Sequence, residues 1–309
     1  MAAPKRLTSV DDPRPERSHV LHLDGSPLIR VGAKPGLLQY LREVWAFRHF
    51  IIYDSHSRVS SSNTNDSLGR LWMVMNPILN GFAYFLVFGL LLQTSRGVDN
   101  FIGYLVIGVF MFRYTTTSIN SSARSIAGQQ SVVQAFNFPR ACLPLAASVR
   151  ELFSNVPTFV IMFLLVLVLG DVMPGDDPIS VSWLWLLFFP VVALSFMLNI
   201  GLGLLLARAV SAYEDVKHLI SFATRIWFYT SAVFFATNRF EGTPFEDEIL
   251  AIMHVNPMYC VLDIVRQAWL YDTFADPSRW IVLASWAVGL LIIGTIVFWQ
   301  GEEKYGREK

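Results

Sequence analysis

Few residues in this sequence have the types and spacing for chemistry. His49, Asp54 and His56 lie close together and would suit a metal ion or an acid–base pair. They sit at the polar margin of an apolar block, where solvated side chains are the preferred reading. Arg113 and Arg225 fall inside apolar blocks. A charged side chain buried in hydrocarbon costs about 2.5 kcal/mol or more, so each should face a polar cavity or a partner. Tyr114 follows the first arginine, and Trp227 and Tyr229 follow the second. Aromatic rings beside a cationic donor suit sugar faces and phosphate oxygens. The competing reading is helix packing, with each arginine bonded to backbone carbonyls.

Other chemistry is missing. No G-x-x-x-x-G-K-[ST] phosphate loop occurs, nor G-x-S-x-G, nor H-E-x-x-H. The two cysteines, Cys142 and Cys260, have no metal-like spacing and are expected on opposite sides of a membrane. The chain is thus expected to be no enzyme, with no cofactor or metal of its own.

The elements that position these residues are set by composition. Of 309 residues, 53% are hydrophobic and 16% charged, with a net charge of +0 and a mean hydropathy of +0.45. Soluble domains run near a quarter charged. The apolar residues cluster into six blocks: Leu71 to Leu92, Phe101 to Ile119, Leu152 to Leu169, Trp183 to Leu206, Leu219 to Ala236 and Trp280 to Trp299. Each is about 18 to 24 residues, enough to cross a bilayer as a helix. The fold class is therefore an all-α integral membrane protein with six transmembrane helices.

Lysine and arginine orient it. Ten precede the first block, and the second-to-third connection, the fourth-to-fifth connection and the tail bring that side to 18. The other side has four: Arg96, Arg239, Arg266 and Arg279. Both termini are therefore expected on the cytoplasmic side of the membrane.

Residues 1–35 read as a disordered cytoplasmic arm, and 36–70 as an interface helix and hinge. From Gly36 to Tyr53, Leu37, Leu38, Leu41, Val44, Trp45 and Ile52 share one face, with Arg42 on the other and Arg48 placed to snorkel. An amphipathic helix before a first span lies in the membrane interface; a soluble helix on a partner is the alternative. The transmembrane domain covers 71–300, and 301–309 form a cytoplasmic tail. Within it, a loop at about 134–150 holds Phe136, Phe138, Pro139 and Arg140. Aromatics, proline and basic residues there suit docking in a partner's cleft, or equally a helix on the membrane surface. An external segment at about 244–272 holds two short helical patterns joined at Asn256 and Pro257, an N-cap with proline at the first helical position. Neither is long enough to span.

Leu68-Gly69-Arg70-Leu71-Trp72, then Asn76-Pro77, resembles the permease subunits of type-two ABC exporters for lipid-linked polysaccharides such as O-antigen, teichoic acid and galactan. The likeness continues at Gly108-Val109-Phe110, Phe138-Pro139-Arg140, Leu143-Pro144-Leu145, Leu206-Ala207-Arg208 with Asp215, and Asn256-Pro257 with Arg266. It covers about residues 36 to 300, and the ordered set is more specific than any one motif. The resemblance implies a homodimer joined to two ATPase subunits that hold ATP and Mg, with no nucleic acid partner. It makes Gly36 to Tyr53 the interface helix, 134–150 the coupling loop and the two short helices an external gate. The implied cargo is a glycan on a polyprenyl diphosphate, handled within membrane lipid. Two departures stand out: Ser60 to Asp66 replace a basic run, and Arg113 stands where such permeases often have Trp. The polar arm and Trp299-Gln300-Gly301-Glu302-Glu303-Lys304-Tyr305 look like the branch that exports the galactan precursor of mycolate-forming actinobacteria. The alternatives are a drug exporter of the same superfamily and a membrane enzyme acting on polyprenyl-linked sugars. The latter is disfavoured because Asp54, Asp66, Glu214 and Asp215 are scattered.

Overall fold

The computed structural model describes residues 35–61, 71–87, 100–136, 138–169, 179–240, 242, 244–302 and 305. The N-terminal arm, most of the hinge, the Leu68-Gly69-Arg70 motif and the loop at 170–178 lie outside them. Every regular element among the described residues is helical. In order these are α1 (Leu37–Ala46), α2 (Arg48–Ser61), α3 (Leu71–Tyr84), α4 (Phe101–Ala123), α5 (Gln130–Ala135), α6 (Cys142–Leu169), α7 (Phe188–Ala212), α8 (Val216–Thr230), α9 (Glu246–Val255), α10 (Pro257–Trp269) and α11 (Pro277–Gln300).

Among the described residues four helices are long and apolar enough to cross a membrane: α4, α6, α7 with its leading 3-10 turn, and α11. The pair α9 and α10 would make a fifth only as a broken span, since the two are bent by 88°. The expectation of six is met in part. The first block is helical over Leu71–Tyr84, and its far end lies beyond the described residues.

The polar helix is at the centre. α4 is the least apolar of the four, yet 83% of its apolar window is buried, against 22% for α11. Its Thr115, Ser118 and Ser122 are buried within the bundle rather than turned outward. Ser122 Oγ lies 2.8 Å from Ser148 Oγ of α6. α7 and α11 make the broadest contact in the bundle. Gly201 and Gly294 allow it, because a side chain on either would run into the other helix's backbone.

Three expectations need correction. The single helix over Gly36 to Tyr53 is broken at Phe47, whose N–H is shared between the carbonyls of Glu43 and Val44. The loop expected at about 134–150 ends early, since Leu143 to Arg150 form the first turns of α6. The fifth block is helical only from Val216 to Thr230. Beyond it the chain unwinds through Ala232, which has a φ of 52°, a left-handed conformation that costs a residue with a side chain about 1–2 kcal/mol.

Candidate functional site

Three places bring the singled-out residues together. The first is a cleft of about 470 Å³ between α4 and α8. Arg113, Thr116 and Asn120 recur at helical spacing along α4, and Ser221, Thr224, Arg225, Phe228 and Tyr229 line the facing helix. Arg113, Arg225 and Tyr229 are exposed. Phe112 packs edge-on against Trp227 and Phe228, with centroids 5.7 and 5.0 Å apart. Among the described residues no carboxylate lines the cleft. Two guanidinium groups among hydroxyls and rings make a surface suited to an anion bearing hydroxylated groups.

Arg113 also borders a smaller polar cavity of about 250 Å³ among α3, α4 and α6, with Asn76, Asn80, Glu151 and Asn155 in its wall. Tyr114 points the other way. It is fully buried, with its ring 5.3 Å from that of Phe159, so the structure separates it from Arg113. The packing reading of Arg113, with the guanidinium on backbone carbonyls, does not describe what is seen.

That packing reading describes Arg266 instead. On α10, 2% exposed, it donates to the carbonyls of Tyr104, Ala232 and Val233 at 3.0 to 3.3 Å. Its guanidinium carbon lies 3.3 Å from the centre of the Tyr104 ring, a cation–π contact. The Tyr104 hydroxyl donates to Ala232 and Phe235 oxygens. These bonds hold the unwound segment after α8, which is why the helical pattern stops at Thr230. Asn256 is a second tie. Its Oδ1 accepts from Met258 N at 3.0 Å, capping α10, and from Trp227 Nε1 at 2.8 Å. Its Nδ2 donates to Ser231 Oγ and the Thr230 carbonyl. Trp227 is therefore the link between the cleft helix and the α9–α10 corner.

The third place is the loop before α6. Phe136 is 66% exposed. Phe138 is half-buried, its ring 6.3 Å from Phe47 and 6.0 Å from Phe50, and Pro139 is buried. Arg140 turns inward to Glu302: its backbone N–H donates to Oε1 at 2.9 Å, its guanidinium to the Glu302 carbonyl at 3.2 Å. Tyr40 on α1 donates to Glu302 Oε2 at 2.7 Å and accepts from Ala141 N. Burial drives the Glu302 carboxyl above its ordinary value despite these donors, and burial with the nearby carboxylate raises the Tyr40 phenol. Sequence reasoning did not single out Tyr40 or Glu302. Tyr40 lies among leucines on an apparent lipid-facing stretch, and the sole cue to Glu302 was its place in the family-like string after the last span.

On α1, Leu38, Leu41 and Trp45 are exposed, while Tyr40 packs inward. Arg42 is exposed, and Arg48 lies 5.6 Å over the Trp45 ring. Asp54 is paired with Arg58 at 2.8 Å, and His49 and His56 are exposed. Among the described residues no three His, Cys, Asp or Glu side chains gather as metal ligands. Both cysteines are buried and unpaired.

The sequence profile of the ABC-2 type transporter family matches residues 58–270. The chain belongs to that family. It is a permease, a transport subunit rather than an enzyme. Over 269 residues it is 23% identical to the O-antigen export system permease protein RfbA of Myxococcus xanthus, covering 87% of this chain and 98% of that one. Two O-antigen export system permease proteins of Klebsiella pneumoniae are 25% and 24% identical, each covering 55% of this chain and 62% of its own length. The cleft, the bent pair and the loop of this permease lie within the matched residues; Tyr40 and Glu302 lie outside them.

Proposed function

We propose that this permease is the membrane half of an ATP-driven exporter that moves a polyprenyl-diphosphate-linked polysaccharide, of O-antigen, teichoic acid or galactan type, out of the cytoplasm. The observation that carries the reading is the α4–α8 cleft: two exposed arginines, flanking aromatics and no acid. A diphosphate needs cationic, bidentate donors, and sugar faces stack on rings. Kinship with O-antigen permeases supports the same cargo class.

In this reading the chain crosses the plasma membrane six times, α3 and α8 completing the set, with both termini inside. α8 packs lightly on its own bundle and exposes Leu219, Phe222 and Ile226, a face suited to a second copy across a shared path. Two ATPase subunits bind ATP and Mg and push on the loop at 134–150. The α9–α10 corner, held by Asn256, Pro257 and Arg266, is the external gate. An 88° bend suits a segment that enters and leaves on one side better than one that crosses.

Depletion of the permease in its host should make a lipid-linked glycan accumulate inside the cell. Replacing both cleft arginines (Arg113→Gln with Arg225→Gln) should cut export about tenfold or more while ATP hydrolysis by the complex persists. Drug sensitivity with no glycan build-up would reject this cargo and favour a small-molecule exporter.

A further inference from the structure

Glu302 joins three parts of the chain that are far apart in sequence. Its carboxylate accepts from Tyr40 of α1 and from the backbone of Arg140 in the loop, while its own carbonyl accepts from the Arg140 side chain. The last two bonds are reciprocal, each residue's side chain holding the other's main chain, so the pair resists sliding in either direction. Tyr40 closes the ring by accepting from Ala141 N at 3.2 Å. Glu302 is 6% exposed and Tyr40 2%, so these donors, rather than water, hold the charge.

A plainer role would be to finish the end of α11, but other groups already serve carbonyls there. The Gly301 N–H and the Tyr305 hydroxyl both reach the Phe298 carbonyl, and Arg208 reaches that of Val297. Among these bonds Glu302 makes none to its own helix; each one crosses to the loop or to α1.

We propose that Glu302 is a positioning residue for energy coupling, tying the loop ahead of α6 to the last membrane helix and to α1. A push on the loop then has two outlets. One is covalent, into α6. The other runs through one carboxylate into α11, which is locked to α7 at Gly201 and Gly294. Phe138, seated against Phe47 and Phe50, keeps α2 in the same body. The inference rests on the proposed reading of this loop as the ATPase contact.

Two measurements on the full-length protein test it. Amide hydrogen exchange is followed in wild type, Glu302→Ala and Glu302→Gln. The alanine variant should speed exchange at Arg140 and Ala141 about tenfold and leave α4 and α7 unchanged, with the glutamine variant between. Unchanged exchange at those two amides overturns the proposal. Then, in liposomes holding the permease with its ATPase subunits, glycan moved per ATP hydrolysed should fall about tenfold in Glu302→Ala, with hydrolysis within about twofold of wild type and Tyr40→Phe adding little. An unchanged ratio, or losses that follow only the amount of assembled complex, overturns it. Should the wild-type complex hydrolyse ATP and move no glycan, the export reading fails, and the exchange result still decides whether the carboxylate holds the loop.

Discussion

The guanidinium of Arg266 fills the space that Gly108 leaves on the inner face of α4. A Cβ at Gly108 would lie 2.5 Å from the Arg266 Nη2. The two residues are 158 positions apart, counted from their numbers, and each needs the other's choice. In most helix interiors Gly→Ala gains about 1 kcal/mol. Here Gly108→Ala pushes the cation off three carbonyls, and a buried charge stripped of partners costs about 3–5 kcal/mol. Thermal unfolding of the purified protein should show a net loss. Combining Gly108→Ala with Arg266→Met should recover most of it, and a double variant no better than the single one would contradict the account.

Asn256 makes four hydrogen bonds with one side chain, to Met258, Trp227, Ser231 and Thr230. Asn256→Ala should cost about 2 kcal/mol, from the lost cap and an unpaired indole N–H. Asn256→Asp keeps the acceptor for Met258 and Trp227 but loses the donor, so it should lie between. Hydrogen exchange across α9 and α10 is the measurement, with faster exchange in the alanine variant.

Phe136 and Phe138 are two positions apart and face different worlds. Phe136→Ala removes an exposed ring and should leave stability within about 0.5 kcal/mol while weakening capture of the ATPase subunit. Phe138→Ala empties a seat between Phe47 and Phe50 and should cost about 1–3 kcal/mol. Melting curves and co-purification separate the two, and identical profiles would show that the loop does not divide its work this way.

The raised carboxyl of Glu302 fixes a pH dependence. Burial is the leading cause and the bonds from Arg140 and Tyr40 oppose it. A carboxyl whose folded pKa exceeds its unfolded one stabilises the fold below the unfolded value, and that contribution is lost as pH rises through the folded value. The melting temperature of wild type relative to Glu302→Gln should therefore be highest in acid and fall as pH climbs past the ordinary glutamate range. A gap that widens with pH would reverse the sign.

Much of the fold was legible because hydrocarbon demands long apolar runs. The cores of α4, α6, α7 and α11 coincide with four of the expected blocks, and Asn256-Pro257 marked the α9–α10 join by cap chemistry alone. What stayed hidden depends on contacts distant in sequence. Hydropathy cannot say that α8 ends at Thr230, because Arg266 and Tyr104 capture the carbonyls beyond it. Nor can it tell Arg113, open to a cleft, from Tyr114, sealed against Phe159. The mixed face of α1 hid Tyr40 among exposed leucines. Arg140 read as a docking cation because its acid partner lies beyond the last span.

Trp185 and Trp269 stack face to face, ring centres 4.7 Å apart and planes 11° from parallel. One precedes α7 and the other closes α10, so the bent pair carries a chromophore against a fixed neighbour. Two indoles this close couple electronically, and near-ultraviolet circular dichroism of the resting protein should contain a component that Trp269→Phe removes. Opening the corner should dim the same component. Under the proposed gating, this pair is a built-in optical gauge of opening, readable without any attached dye.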